Sequence, residues 1–210
     1  TPSLLDKNDF LPIFDALYNN YDISESSEIT IEANPGTLTK EKLGQLKHLP
    51  VNRISFGVQS FIDEELKFLT RIHSSEEAIN SIRTAQDSGF ENINLDLIFA
   101  LPGQTMDNWK FNLDKAVSLS TQHISAYSLI FEKGTALYSM MEKGTVSKAD
   151  LDLEQEMYEY TMEFLAANGF EQYEISNYAK PGKECRHNLK YWTLEEYISF
   201  GPSASSYIGN

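Results

Sequence analysis

The chain has 210 residues, with 17 Lys and Arg against 31 Asp and Glu, and a formal net charge of −14. Hydrophobic residues make up 41% and charged residues 23%, the balance of a soluble globular chain long enough for one large core. The acidity argues against a nucleic-acid partner, no apolar run reaches the roughly 20 residues of a membrane span, and the first residues have no secretory pattern, so a cytoplasmic enzyme or binding domain remains.

Strand and helix alternate along the chain. Residues 28–34 (EITIEAN) alternate and end at Pro35-Gly36, which predicts a strand and a turn. A helix over residues 40–48 follows, with Thr39 as N-cap and Leu43 and Leu46 on one face. Residues 53–59 (RISFGVQ) form the second strand, and Ser60 is positioned to cap a short helix carrying Leu66 and Leu69. Ser74 and Glu77 fit a capping box ahead of Ala78, Ile82 and Ala85, and Gly89 supplies the left-handed stop. The third strand covers 92–101 (NINLDLIFAL), and Thr105 caps a helix with Trp109, Leu113, Ala116 and Val117 on one face. Residues 123–130 (HISAYSLI) read as a fourth strand, and a long helix over 148–168 stacks Leu153, Met157, Tyr160 and Phe164. A fifth strand is expected at 170–176 and the start of a sixth at 197–201. This order implies an α/β fold with a parallel sheet and right-handed crossovers, open or closed into a barrel. The stretch 132–148 is the weakest, so we divide the chain into a core, 1–131, and a C-terminal extension, 132–210.

Strand parity separates two faces. Ile29, Ile31 and Ala33 oppose Thr30, Glu32 and Asn34; Ile54, Phe56 and Val58 oppose Ser55, Gly57 and Gln59; Ile93, Leu95, Leu97 and Phe99 oppose Asn94, Asp96 and Ile98. Parallel strands covered on both sides read as continuous apolar runs, and these do not. Burying Glu32, Gln59 and Asp96 without partners would cost several kcal/mol. A ligand-filled lumen explains the pattern, with Glu32, Gln59 and Asp96 toward its mouth; an open sheet with one wet face is the alternative. Cys185, the only cysteine, cannot by itself hold an iron–sulfur cluster or a Cys-rich zinc site, and His48, His73 and His123 lack metal-ligand spacing.

Five segments carry a resemblance: TPSLL (1–5), TIEANPGTLT (30–39), NRISFGVQSF (52–61), NLDLIFALPGQT (94–105) and YEISNYAKPGKECRHNLKYW (173–192). Together they resemble the radical S-adenosylmethionine (SAM) proteins of the oxygen-independent coproporphyrinogen III oxidase group, and the last is most similar to the HemW haem-chaperone branch. The resemblance implies a partial (β/α)6 barrel without its first strands, plus a C-terminal α+β extension. It also implies a 4Fe–4S cluster held by a Cys-x3-Cys-x2-Cys loop. This chain has no such loop, so it has no metal ligands of its own and reads as a catalytically inactive fragment.

By the same resemblance Thr1, Glu32, Gln59, Arg71, Asp96 and Ile130 match SAM-contacting positions. A carboxylate suits the SAM ammonium, Arg71 its carboxylate, and Gln59 and Asp96 the ribose hydroxyls or amino groups. Without the resemblance, Arg71 reads as a solvated arginine near a helix end. Cys185, His187, Tyr191 and Trp192 combine haem-ligand types with flat aromatics that suit a macrocycle. Packing of Tyr191 and Trp192 in the core, with His187 in a buried hydrogen bond, is the other reading. The function implied is haem binding and delivery to a haem-accepting partner protein. The alternative is SAM-dependent oxidative decarboxylation of coproporphyrinogen III to protoporphyrinogen IX.

Overall fold

The computed structural model describes residues 2–209. After a single 3-10 turn at Pro2–Leu4, helix α1 spans Lys7–Asn20, followed by β1 (Thr30–Ala33), α2 (Lys40–Leu46), β2 (Arg53–Gln59), α3 (Asp63–Phe68) and α4 (Ser75–Asp87). Next come β3 (Ile93–Phe99), α5 (Met106–Ser118), β4 (His123–Ser128), α6 (Ala136–Glu142), α7 (Leu151–Ala167), β5 (Glu171–Gln172), β6 (Asn177–Ala179) and α8 (Arg186–Trp192). The six strands form one sheet in the order β1-β2-β3-β4-β6-β5. Pairings from β1 to β4 are parallel, while β4–β6 and β6–β5 are antiparallel. The result is an α/β fold with a parallel-dominated sheet, consistent with a partial (β/α) barrel.

Local signals set the helix starts. Thr39, Ser74 and Thr105 each accept a backbone N–H of their own helix, from Lys42, Glu77 and Asn108, and Glu77 closes the capping box on Ser74 N. One face of the strands is fully apolar: Ile31, Ile54, Phe56, Val58, Leu95, Leu97 and Ile124 are buried against Leu43 of α2, Ile82 of α4 and Trp109 and Leu113 of α5. The core therefore lies between the sheet and the helices, and the opposite face is left to polar residues.

Three expectations are corrected, and helices that the sequence pattern did not mark are added. Helix α1 was not anticipated; Phe10 and Phe14 meet at i, i+4 spacing, and Asp6 N donates to the Asp9 carboxylate at 2.8 Å. Ser60 does not cap α3, whose N-cap is Ile62. Its hydroxyl instead donates to the buried Glu65 carboxylate at 2.6 Å and accepts from Ile62 N at 2.9 Å. The strand expected at 170–176 shrinks to β5, because the chain reverses and Tyr173 N bonds Asn177 O at 3.2 Å, so β6 takes the place beside β4. The start of a sixth strand at 197–201 is only a bridge between Tyr197 and Tyr207.

Candidate functional site

The polar face lines an open cavity of about 550 Å³. Its walls are Thr30 and Glu32 of β1, Arg53 and Ser55 of β2, Asn94 and Asp96 of β3, and Ser125 and Tyr127 of β4. Glu28, Cys185, His187 and Asn188 line the end nearest the strand starts. Each wall residue is presented by the parity of its strand: a period of two sends Ser55 inward while Ile54 and Phe56 pack into the core.

Asn94 organises the cavity wall. Its amide nitrogen donates to Asp96 Oδ1 at 2.7 Å and to Ser55 Oγ at 2.8 Å, and Ser55 donates to Asp96 Oδ2 at 3.2 Å. With the nitrogen turned to the carboxylate, Asn94 Oδ1 faces His123 and accepts from its Nδ1 at 2.6 Å. The other ring nitrogen, Nε2, then accepts from the Tyr173 hydroxyl at 2.8 Å. Tyr173 in turn receives the Cys185 N–H at 3.3 Å and the Asn188 amide at 3.4 Å. A continuous hydrogen-bonded path thus runs from Asp96 to the start of α8.

Desolvation pushes the Asp96 carboxyl above its ordinary range, against hydrogen bonds from Asn94, Ser125 and Ser55, and the Glu32 charge adds to the rise. Burial, with the Arg53 guanidinium adding to it, lowers His123 to about 3, so the ring is neutral near pH 7. A depressed histidine pKa makes the folded state lose ground as pH falls, because only the unfolded chain takes up that proton below pH ~6.5. Wild type should therefore lose up to about 1.4 kcal/mol per pH unit more than His123→Gln between pH ~6.5 and ~4. Asp96 acts in the opposite direction in both proteins and cancels from the difference. Urea unfolding of the pair at several pH values checks this; equal slopes would contradict a buried neutral His123.

The structure separates the sequence-derived candidates. Glu32 and Asp96 share the cavity. Gln59 is buried at the end of β2 with φ 70°, just past a register shift between Phe56 and Gln59. Its amide lies over Gly57, where a Cβ would meet Gln59 Nε2 at 2.9 Å. Arg71 is half-buried in the α3–α4 connection, where its charge helps burial to lower His73, whose Nε2 donates to the Val58 carbonyl at 3.1 Å. Ile130 follows β4 and is 80% exposed. Thr1 lies outside the described residues. Gln59, Arg71 and Ile130 thus stand at or beyond the strand ends, whereas the cavity reaches the other way, to the strand starts.

The C-terminal block also divides. Cys185 and His187 line the cavity, but Tyr191 and Trp192 do not. The Cys185 thiol is buried, donates to Glu28 Oε1 at 3.5 Å, and is pushed up by desolvation. Tyr191 and Trp192 are 46% and 54% exposed, so the core-packing reading of these two does not hold. Nor is His187 in a buried bond: its Nε2 meets the Tyr191 hydroxyl at 3.1 Å on the exposed side of α8. The reason is that the start of α8 is tied to the body of the fold, by Tyr173, Glu28 and Arg186 Nη1 on Ser26 O, while Lys190 and Tyr191 pair with Glu195 and Tyr197 of the segment that follows. Arg53, Asn94, Tyr173 and Asn188 were not singled out by sequence. The parity of the second and third strands already set Arg53 and Asn94 beside Ser55 and Asp96, but nothing local marks Tyr173 or Asn188.

Residues 3–116 match the model of the radical SAM superfamily. The chain belongs to that superfamily. It is 47% identical over 186 residues to the heme chaperone HemW of Bacillus subtilis (strain 168), covering 89% of this chain and 49% of that protein. It is 40% identical over 208 residues to HemW of Lactococcus lactis, covering 99% and 55%. The chain spans about half the length of the curated relatives it matches. The structure of coproporphyrinogen III oxidase (HemN) from Escherichia coli matches the whole chain and 51% of its own, with a TM-score of 0.82 at 22% identity, which shows a shared fold.

A radical SAM domain implies SAM and a 4Fe–4S cluster. The cavity suits the first: carboxylates, hydroxyls and amides stand on one wall, matching a zwitterion with a ribose. It does not supply the second. Among the described residues no group of three His, Cys, Asp or Glu stands where it would hold a metal, and the one thiol is bound to Glu28. No described helix is long and apolar enough to cross a membrane.

Proposed function

We propose that this chain forms the SAM-binding barrel wall and a haem-handling extension of a HemW-like haem chaperone acting in the cytoplasm. The observation that carries this reading is the 47% identity over 186 residues to a protein named as a heme chaperone. Within the cavity Glu32 takes the SAM ammonium and Asp96 its ribose or amino groups. From the strand ends Arg71 takes its carboxylate and Gln59 its ribose or amino groups, with Thr1 and Ile130 assigned as the other SAM-contacting positions. Bound next to a reduced cluster, SAM supplies one-electron cleavage chemistry, and the residues of this chain bind and orient it. For haem, a cluster of tilted rings stands at the surface: Tyr191 lies 4.6 Å from Tyr197, His187 lies 5.0 Å from Tyr191 and edge-on to it, and Tyr207 lies 6.2 Å from Tyr197. Cys185, His187, Tyr191 and Trp192 are the residues of this chain assigned to haem, which is passed on to a haem-accepting partner.

The intact, cluster-reconstituted protein tests this anaerobically. It should bind hemin saturably, with a Soret shift that weakens in His187→Ala, and transfer it to an apo haem enzyme. It should form no protoporphyrinogen IX from coproporphyrinogen III, SAM and reductant. Product over many turnovers would instead establish the oxidase reading.

A further inference from the structure

We infer that Arg53 is the anchor for a ligand carboxylate at the strand-start end of the lumen, a role that replaces the one given to Arg71 where that ligand is SAM. Arg53 is the first residue of β2, is 3% exposed, and lines the cavity. Its Nε has no hydrogen-bond partner, and its one side-chain hydrogen bond among the described residues is a long 3.5 Å bond from Nη1 to Thr30 Oγ1. The two ion pairs among the described residues, Lys42–Asp6 and Lys190–Glu195, leave it without a carboxylate in reach. A buried guanidinium in this state has given up water for almost nothing, and a buried charge without a partner is strongly unfavourable. Arginine's planar fork matches a carboxylate in a two-point pair.

The surroundings fit an anion at this one spot. Glu28 already accepts from the Cys185 thiol and the Arg186 N–H, and Asp96 is held by Asn94 and Ser55. His123 beside Arg53 is kept neutral, so the guanidinium is the fixed positive charge on the cavity wall. Thr30, Ser55 and Asn188 bring further hydrogen-bonding groups to the same end of the lumen. Two carboxylates are chemically suited: the α-carboxylate of SAM and a propionate of a tetrapyrrole. This inference rests on the proposed function for those two ligands.

The test uses Arg53→Met and Arg53→Lys in the intact protein. Binding is measured for SAM against 5′-methylthioadenosine, which lacks the carboxylate, and for coproporphyrin III against its tetramethyl ester. The ligand that supplies the carboxylate should lose at least tenfold in affinity in R53M and recover part of it in R53K. Its carboxylate-free analogue should bind wild type and R53M alike, and which ligand responds identifies the source. Without ligand, R53M should melt at or above the wild-type temperature, because an unpaired buried charge has been removed. Equal affinities of wild type and R53M for both ligands, or an R53M melting point well below wild type, would overturn the inference alone. A wild-type protein that binds neither ligand would overturn the proposed function, and this inference with it.

Discussion

Replacing Trp109 by alanine should cost about 3–5 kcal/mol of folding stability, the range for emptying a large aromatic site in a close-packed core. Trp109 is fully buried on α5, with its ring centroid 5.3 Å from that of Phe99. Its Nε1 donates to Thr161 Oγ1 of α7 at 2.8 Å, so one side chain joins the sheet, α5 and α7. Trp109→Phe keeps most of the volume and loses the hydrogen bond, which should cost about 1–2 kcal/mol. Urea denaturation followed by far-UV circular dichroism measures both. An alanine variant within 1 kcal/mol of wild type would mean that α7 docks without this contact.

The second large effect falls on binding. In the intact protein Asp96→Ala should weaken SAM by at least about tenfold, or 1.4 kcal/mol, while the cluster absorbance stays in place. Folding should change little, because the lost carboxylate is one whose pKa burial has already raised, and Asn94 keeps Ser55 and His123 as partners. Equilibrium titration decides it; unchanged SAM affinity removes Asp96 from the site.

Much of the fold was legible because its signals are local. The caps at Thr39, Ser74 and Thr105 depend on residues three positions apart, and strand parity on residues two apart. Helix α8 was not legible, because no residue of its span is buried and no apolar stripe marks it. Strand β6 was not legible either, since three residues carry too little pattern to show that Ser125 Oγ will donate to Asn177 Oδ1 at 2.6 Å.

The candidate site divides along the same line. Glu32, Gln59 and Asp96 stood out because polar side chains at alternate positions interrupt strands that should be apolar on both faces. The sequence by itself determined the strand–helix order from β1 to β4, the apolar face and the polar one, and through its motifs the superfamily, since each is written in neighbouring residues. Only the tertiary structure decided that Glu32 and Asp96 share a cavity with Cys185 and His187 and that Gln59, Arg71 and Ile130 stand outside it. It alone left Arg53 buried with its Nε unpartnered and no carboxylate paired to it. Those facts depend on how far each strand slides against the next and on where the returning chain sets Tyr173 and α8. Contacts between residues so distant along the chain leave no periodic trace in it.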